Sequence, residues 1–562
     1  MNKKLLTMGL AALLMAGCSS DDVVGGEGDK GGASAVKGYV GITIALPSTS
    51  ASRAVDSYEE GSPEEYAVND VTLLFFNNGD ELKQVTQFKA GDFTWTPAEG
   101  NHDGITTETV LPVVPLKDNS ATNVLAIVNN NNSLLKVTSS TLDGNGLIEN
   151  AGSLKDKTDV AITNKATLLK AIESTNVTDF TSNGYFMSSA AISTLADGDK
   201  LFTVVEPKES KQKAMDNAKK TVIHVERIVS KATVNHATGP DWTADWTYVI
   251  DNGSSAFNDD KIEFQGWALD LTNTKTYPFH KVSTEAGQAN GSDKWTALFF
   301  GGNQNRYMWA IDPNYSADGS ADLAKTDVAN VNNVNNALNA PLYCLENTFN
   351  LPFMKQPQTT RLLLKAKYTP NSCIGTDRRG DLNAMGWFRL GEGTQAYTLQ
   401  GIEAELLKMA KVIDSDATAV TVSNPTPGKN AFAETGTTNT IVVATGGTPW
   451  TTTEYTKLIN MAGKLTYFEK SMCYYPVLIK HFAQTWSGEN YLIDSDPNNN
   501  AFLGRYGIVR NNWYDITINK VSAPGEPVYP TVPDLADDVT NYYIQATVKI
   551  LDWAKRSQSV DL

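Results

Sequence analysis

Apolar and polar residues alternate over long parts of the chain. Val40, Ile42, Ile44 and Leu46 alternate with Gly41, Thr43 and Ala45, a period of two with one apolar face. "DVTLLFFNN" (70–78) and "TNVLAIVNN" (122–130) are short apolar runs that end in Asn, which predicts buried strands followed by turns. "HVERIVSKATV" (224–234) puts Val225, Arg227, Val229 and Lys231 on one face and Glu226, Ile228, Ser230 and Ala232 on the other, a strand near a domain seam. "KIEFQGWALDLTN" begins a second set of strands, "YGIVRNNWYDITINKV" (506–521) is extended and aromatic-rich, and "NYYIQATVKILDWA" alternates near the C-terminus. Helical spacing is sparse. It occurs in "AYTLQGIEAELLKMAKVI", through Leu399, Ile402, Leu406, Met409 and Val412, and in "TTEYTKLINMAGKL", with Gly463 as its stop. The expectation is an all-β chain with minor helical insertions, organised as two β-sandwiches.

Composition strengthens that picture. The 562 residues are enough for two or more domains, and 42 Gly with 21 Tyr and abundant Val, Thr and Asn suit pleated surfaces and their turns. A net charge of -16 argues against nucleic acid and anionic membrane as partners. The first residues read as a targeting segment. Lys3 and Lys4 precede the apolar "LLTMGLAALLMAG", which is too short to span a membrane. Leu14-Met15-Ala16-Gly17-Cys18 looks like a bacterial lipobox, with Met15 in place of the usual aliphatic residue and Cys18 as the lipidated position. "SSDD" follows, and then a flexible Gly-rich tether. Cys344, Cys373 and Cys473 lack any CxxC spacing, so buried thiols are expected, with one disulfide possible.

Catalytic motifs are missing. Five scattered histidines form no HExxH, and neither GxSxG nor GxxxxGK[ST] occurs. We expect no enzyme, no cofactor and no metal. Asp494, Asp496, Asn498 and Asn500 have calcium-loop spacing, but the glycine is absent and Arg505 holds the twelfth position, so a solvated turn is the better reading. Arg379-Gly380-Asp381 spells an adhesive tripeptide that arises often by chance. Trp387, Trp450 and Trp486 could form a glycan platform, although Trp in a sandwich is more often core.

One residue stands out. Arg53 is the sole Lys or Arg between Lys37 and Lys83, in the small polar loop "PSTSASRAVDS" that follows the first strand. Such a loop suits protease access.

"FMSSA" (186–190), "HVERIVSKATV", "GWALDLTN", "YCLENT" (343–348) and "YGIVRNNWYDITINKV" followed by "GEP" resemble the fimbrillins of Bacteroidota, the type V pilus subunits, and most of all the short-fimbria shaft subunit. The resemblance spans nearly the whole mature chain. It implies two transthyretin-like β-sandwiches in tandem, exported as an outer-membrane lipoprotein and carried in surface fimbriae for adhesion. It implies cleavage between Arg53 and Ala54 by an arginine-specific surface protease. It further implies loss of the segment from about Val36 to Leu46, with Val40, Ile42, Ile44 and Leu46 as the expelled row. The tail from about Tyr542 to Leu562 would then donate a strand to the next copy through Ile544, Ala546, Val548 and Ile550, or through the last "QSVDL". Partners would be other copies of the chain, accessory tip or anchor pilins, and a host protein or glycan.

On this basis the chain divides into a signal (1–17), a tether and removable strand (18–53), an N-terminal sandwich (54–238), a C-terminal sandwich (239–541) and a donor tail (542–562). The competing readings are a tip or anchor adhesin and a surface glycan-binding lipoprotein, which would keep its lipid anchor.

Overall fold

The computed structural model describes residues 35–47, 62–93, 96–97, 105–130, 134–170, 172–173, 177–190, 192–194, 198–218, 221–251, 256–279, 312–315, 325–326, 338–348, 355–375, 382, 384–427, 441–480, 506–530 and 544–552. The structure is mostly β, as the alternation predicts. Among the described residues no helix is long and apolar enough to cross a membrane.

The first domain begins with β1 (Gly38–Val40) and β2 (Thr43–Pro47). Next come β3 (Asp70–Phe76), β4 (Leu82–Lys89), β5 (Ile105–Val110), β6 (Val114–Leu116), β7 (Asn123–Val128) and β8 (Met187–Ser189). A short helix, α1 (Lys211–Asn217), and strand β9 (Val222–Arg227) close it. Hydrogen bonding runs β4-β3-β7-β8-β9-β2-β5. β9 joins two halves of this path: residues 222–224 pair with β2, and residues 225–227 pair with β8. All seven residues of β3 are buried. Val71, Leu73, Leu74, Phe75 and Phe76 belong to a core that also holds Val40, Ile42, Ile44, Leu125, Ile127, Val225 and Val229. β3 and β7 are therefore apolar on both faces because the sheet buries both.

The second domain is a sandwich of two layers. One layer runs β12 (Leu342–Leu345), β10 (Val229–His236), β14 (Asn512–Val521) and β15 (Ile544–Asp552). The other contains β11 (Lys261–Asp270) and β13 (Arg361–Thr369), followed by the strand Met472–Leu478. Val234, Tyr514, Ile516 and Ile518 from the first layer meet Ile262, Trp267, Leu362, Leu364 and Tyr475 from the second. The packing changes hands inside β10, since Val229 belongs to the first core and Ala232 to the second.

Both sequence-predicted helices are present, and they build a third small core. α2 (Leu399–Ile413) is capped by Thr398, whose hydroxyl accepts from the Gly401 N–H. α3 (Thr452–Ala462) starts at a Thr451–Glu454 capping box and stops at Gly463, whose φ of 69° suits glycine. The apolar face of α2 follows its spacing through Leu399, Ile402, Leu406 and Met409 and departs from it at Val412. Ile402, Leu406 and Ala410 are buried, whereas Val412 is 75% exposed. At the start of α2 a Cβ on Gly401 would lie 1.8 Å from the Ile374 carbonyl oxygen, so this turn packs directly on backbone.

Candidate functional site

The segment before the arginine loop is an interior element. Residues 38–47 pair antiparallel with 105–116 in near-continuous register: Gly38 opposite Leu116, Val40 opposite Val114, Thr43 opposite Val110, and Leu46 opposite Thr107. On the other edge, Thr43, Ile44 and Ala45 run parallel to Val222, Ile223 and His224, and Tyr39 exchanges two 2.8 Å backbone bonds with Lys208.

Both faces are covered as well. Val40, Ile42 and Ile44 are at most 2% exposed in the first core, and Thr43 and Ala45 on the opposite face are fully buried. The alternation predicts one apolar face. The second face is buried too because α1 and its flanks lie on it. The Thr43 hydroxyl donates to the Ala218 carbonyl at 3.0 Å. Gly41 passes so close to the helix that a Cβ there would lie 2.1 Å from the Ala214 carbonyl oxygen.

The tail is placed differently. Among the described residues β15 lies at the end of its layer and pairs with β14 alone. Ile550, Val548 and Ala546 stand opposite Tyr514, Ile516 and Ile518, and after a one-residue slip Ile544 stands opposite Val521. Ile544 is buried. Within one chain, then, the alternating tail closes the second sandwich as an edge strand. Cys18, Arg53, Ala54, the 379–381 tripeptide, the 494–505 loop and "QSVDL" lie outside the described residues.

The blocks that carry the family resemblance converge in space. Between the domains, the Arg227 N–H donates to Asn511 Oδ1 at 3.2 Å, the Ser230 hydroxyl donates to the Val509 carbonyl at 2.6 Å, and Asn347 and Ile508 pair through their backbones. The fully buried Arg510 guanidinium forms an ion pair with Glu346. The Ile228 N–H donates to the Phe186 carbonyl. "FMSSA", "HVERIVSKATV", "YCLENT" and "YGIVRN" thus form one seam.

Sequence reasoning missed the residue that completes this seam, Glu65. It sits in a turn of the chain a few residues beyond the arginine loop, with the Ser62 N–H donating to Oε2 at 2.9 Å. Tyr343 donates its hydroxyl to Oε1 at 2.5 Å, and Lys231 Nζ lies 2.9 Å from the same oxygen. Arg227 Nε donates to the Glu65 carbonyl at 2.7 Å. Burial pushes the Glu65 carboxyl up. The Tyr343 hydroxyl, the Lys231 ammonium and the Ser62 N–H outweigh it and hold the group below its ordinary range. Lys231 also stacks over Trp513, 3.8 Å from the ring centroid. The second Glu of "SPEEY" carries no sequence signal of this role.

The other candidates settle into the fold. Trp387 is 2% exposed and stacked on Phe468 at 3.9 Å, so it is core and not a glycan platform. Trp450 is half-buried, with its indole N–H on Asp414. His236 stacks on Trp242. None of Cys344, Cys373 and Cys473 forms a disulfide, and burial pushes the Cys344 and Cys473 thiols up to about 12. Among the described residues no group of His, Cys, Asp and Glu could hold a metal ion.

Residues 466–559 match the family described as "Major fimbrial subunit protein type IV, Fimbrillin, C-terminal", which takes in β14 and the edge strand β15. No curated protein matches the chain. Solved structures similar in fold include a fimbrilin from Porphyromonas gingivalis W83, at 13% identity and TM-score 0.35, covering 93% of this chain and 99% of that one. A second is the tip fimbrial protein Mfa3 from Porphyromonas gingivalis with C-terminal truncation, at 13% identity and TM-score 0.28, covering 91% of this chain and 100% of that one. A third is a fimbrial assembly protein from Parabacteroides distasonis, at 10% identity and TM-score 0.27, covering 59% of this chain and 85% of that one. Over residues 466–559 the chain is therefore similar to the C-terminal part of the fimbrillins, the major fimbrial subunit proteins.

Proposed function

We propose that this chain is the precursor of a structural, non-enzymatic pilin. It is exported as a lipoprotein through Cys18, cut between Arg53 and Ala54 by an arginine-specific protease, and polymerised when the tail of a second copy replaces residues 36–46. Its place is the filament shaft, with accessory pilins at the ends.

The placement of residues 38–47 supports this reading most. They are held on both edges and both faces, and the loop containing Arg53 follows them in sequence. Cleavage there would leave the strand attached by non-covalent contacts alone. Its departure would expose unpaired backbone on β5 and β9 above an apolar trough, a geometry that recruits another strand. Each aliphatic side chain the newcomer buries contributes roughly 1.5–3 kcal/mol, so a matching row holds strongly. The tail has the required alternation, with Ile544, Ala546, Val548 and Ile550 on one side. Among the described residues it also has one strand neighbour to give up, β14.

N-terminal sequencing and intact mass of protein taken from the producing cells test the proposal. A start at Ala54, with SDS-resistant ladders that vanish when residues 542–562 are deleted, is the expected result. A start at lipidated Cys18 in the surface protein overturns it.

A further inference from the structure

We propose that residues 206–218, including α1, form a lid shaped to the first strand, and that this lid must open when a second copy's tail takes the groove. The inference rests on the strand-exchange reading and adds a steric gate to it.

The fit between lid and strand is specific. Two glycines of the strand mark its closest approaches: a Cβ on Gly41 would lie 2.1 Å from the Ala214 carbonyl oxygen, and one on Gly38 would lie 2.8 Å from Pro207 Cβ. Thr43 and Ala218, and Tyr39 and Lys208, supply the hydrogen bonds. At Gly41 the obstacle is backbone, which cannot swing aside as a side chain would.

The tail has no means of satisfying that gate. Residues 541–562 contain no glycine, and the positions alternating with its apolar row are Gln545, Thr547 and Lys549. Whatever the register, a tail strand that fills the slot as far as the Gly41 position brings a Cβ into the Ala214 carbonyl. The lid is also built to yield. α1 is seven residues long, too short to be stable alone. It buries Ala214 with Ala218 just beyond, while Met215 is exposed. One end is fixed independently of the strand, while at the other the Thr221 carbonyl accepts from the Thr43 N–H at 2.9 Å. The Val205 N–H donates to the Thr122 carbonyl at 2.7 Å, and Thr221 leads into β9.

Hydrogen exchange of residues 211–218 reads the lid in the full chain and in the polymer formed after cleavage. We expect exchange about tenfold or more faster in the polymer, as local opening requires. In the uncleaved chain, Gly41→Ala should loosen the same amides while β3 stays protected. Among Gln545→Gly, Thr547→Gly and Lys549→Gly, the variant whose glycine reaches the gate should restore protection in the polymer.

Equal protection in full chain and polymer, with residues 36–53 absent from the polymer by mass, overturns the lid and leaves strand exchange standing. A polymer that retains residues 36–53 overturns both.

Discussion

Residues 38–47 and residues 544–552 are both alternating strands of aliphatic and small polar residues. Their surroundings differ. The first has a neighbour on each edge, a core on one face and a helix on the other. The second, among the described residues, has one neighbour and ends its layer. Similar sequence patterns therefore occupy opposite kinds of position. The difference gives a physical asymmetry between a strand whose loss opens a domain and a strand whose loss trims one. On the strand-exchange proposal, a subunit that discards the first and lends the second would use each in the direction its surroundings favour.

The most severe way to break this comparison is a charge placed in the same kind of row on each strand. Ile44 is 1% exposed in the first core. Ile44→Asp should cost the full chain about 4 kcal/mol or more, because the carboxylate has no partner there. Val548→Asp, on the edge strand, should cost the monomer less than half of that and still abolish polymers. Urea denaturation of the two variants checks the first claim and SDS-resistant ladders the second. Equal losses would mean that the tail is as deeply built in as the first strand.

Glu65 lies outside both strands and sharpens the contrast from a third place. Glu65→Gln leaves the buried Lys231 ammonium without its counter-charge, which should cost about 3 kcal/mol. The folded-state pKa of Glu65 lies below its ordinary value, so the stabilisation is present above the ordinary carboxylate range and is lost as pH falls through the lowered value. The gap between wild type and Glu65→Gln should therefore be wide at pH 7 and narrow at pH 3 in denaturant melts. It should also be the same in precursor and polymer, since the seam uses neither the leaving strand nor the tail.

Much of this arrangement can be read from local pattern. Period two marks β2, β10 and β14, and Gly463 marks the stop of α3. The resemblance blocks are likewise visible as strings. Their meeting place is not, because Arg227 and Asn511 or Glu65 and Tyr343 are brought together by sheet order across most of the chain. The second buried face of β2 is hidden for a related reason. Gly41, Thr43 and Ala45 look like a solvent face, and only the return of the chain at 211–218 shows that they are small in order to admit a helix. Val412 misleads in the opposite sense: its spacing fits α2, but it lies in the helix's last turn and is 75% exposed.

The mildest test concerns one hydrogen bond. Thr43 is fully buried and its hydroxyl donates to the Ala218 carbonyl, which also accepts from the Thr221 N–H at 3.3 Å. Thr43→Val keeps the volume of the side chain and removes the donor while leaving that carbonyl one partner. The cost to the full chain should be about 1 kcal/mol. The comparison between the strands then makes a sharper claim than the size of the loss. Once residues 36–53 have left, residue 43 is no longer part of the particle. The polymer of the variant should therefore melt with the wild-type polymer, and the precursor should melt below the wild-type precursor and release its first strand faster after cleavage. Thermal melts of both forms, with the released peptide followed by mass, decide it. A variant polymer that melts lower than the wild type would mean that the first strand stays in the filament, because nothing else in the polymer distinguishes the two.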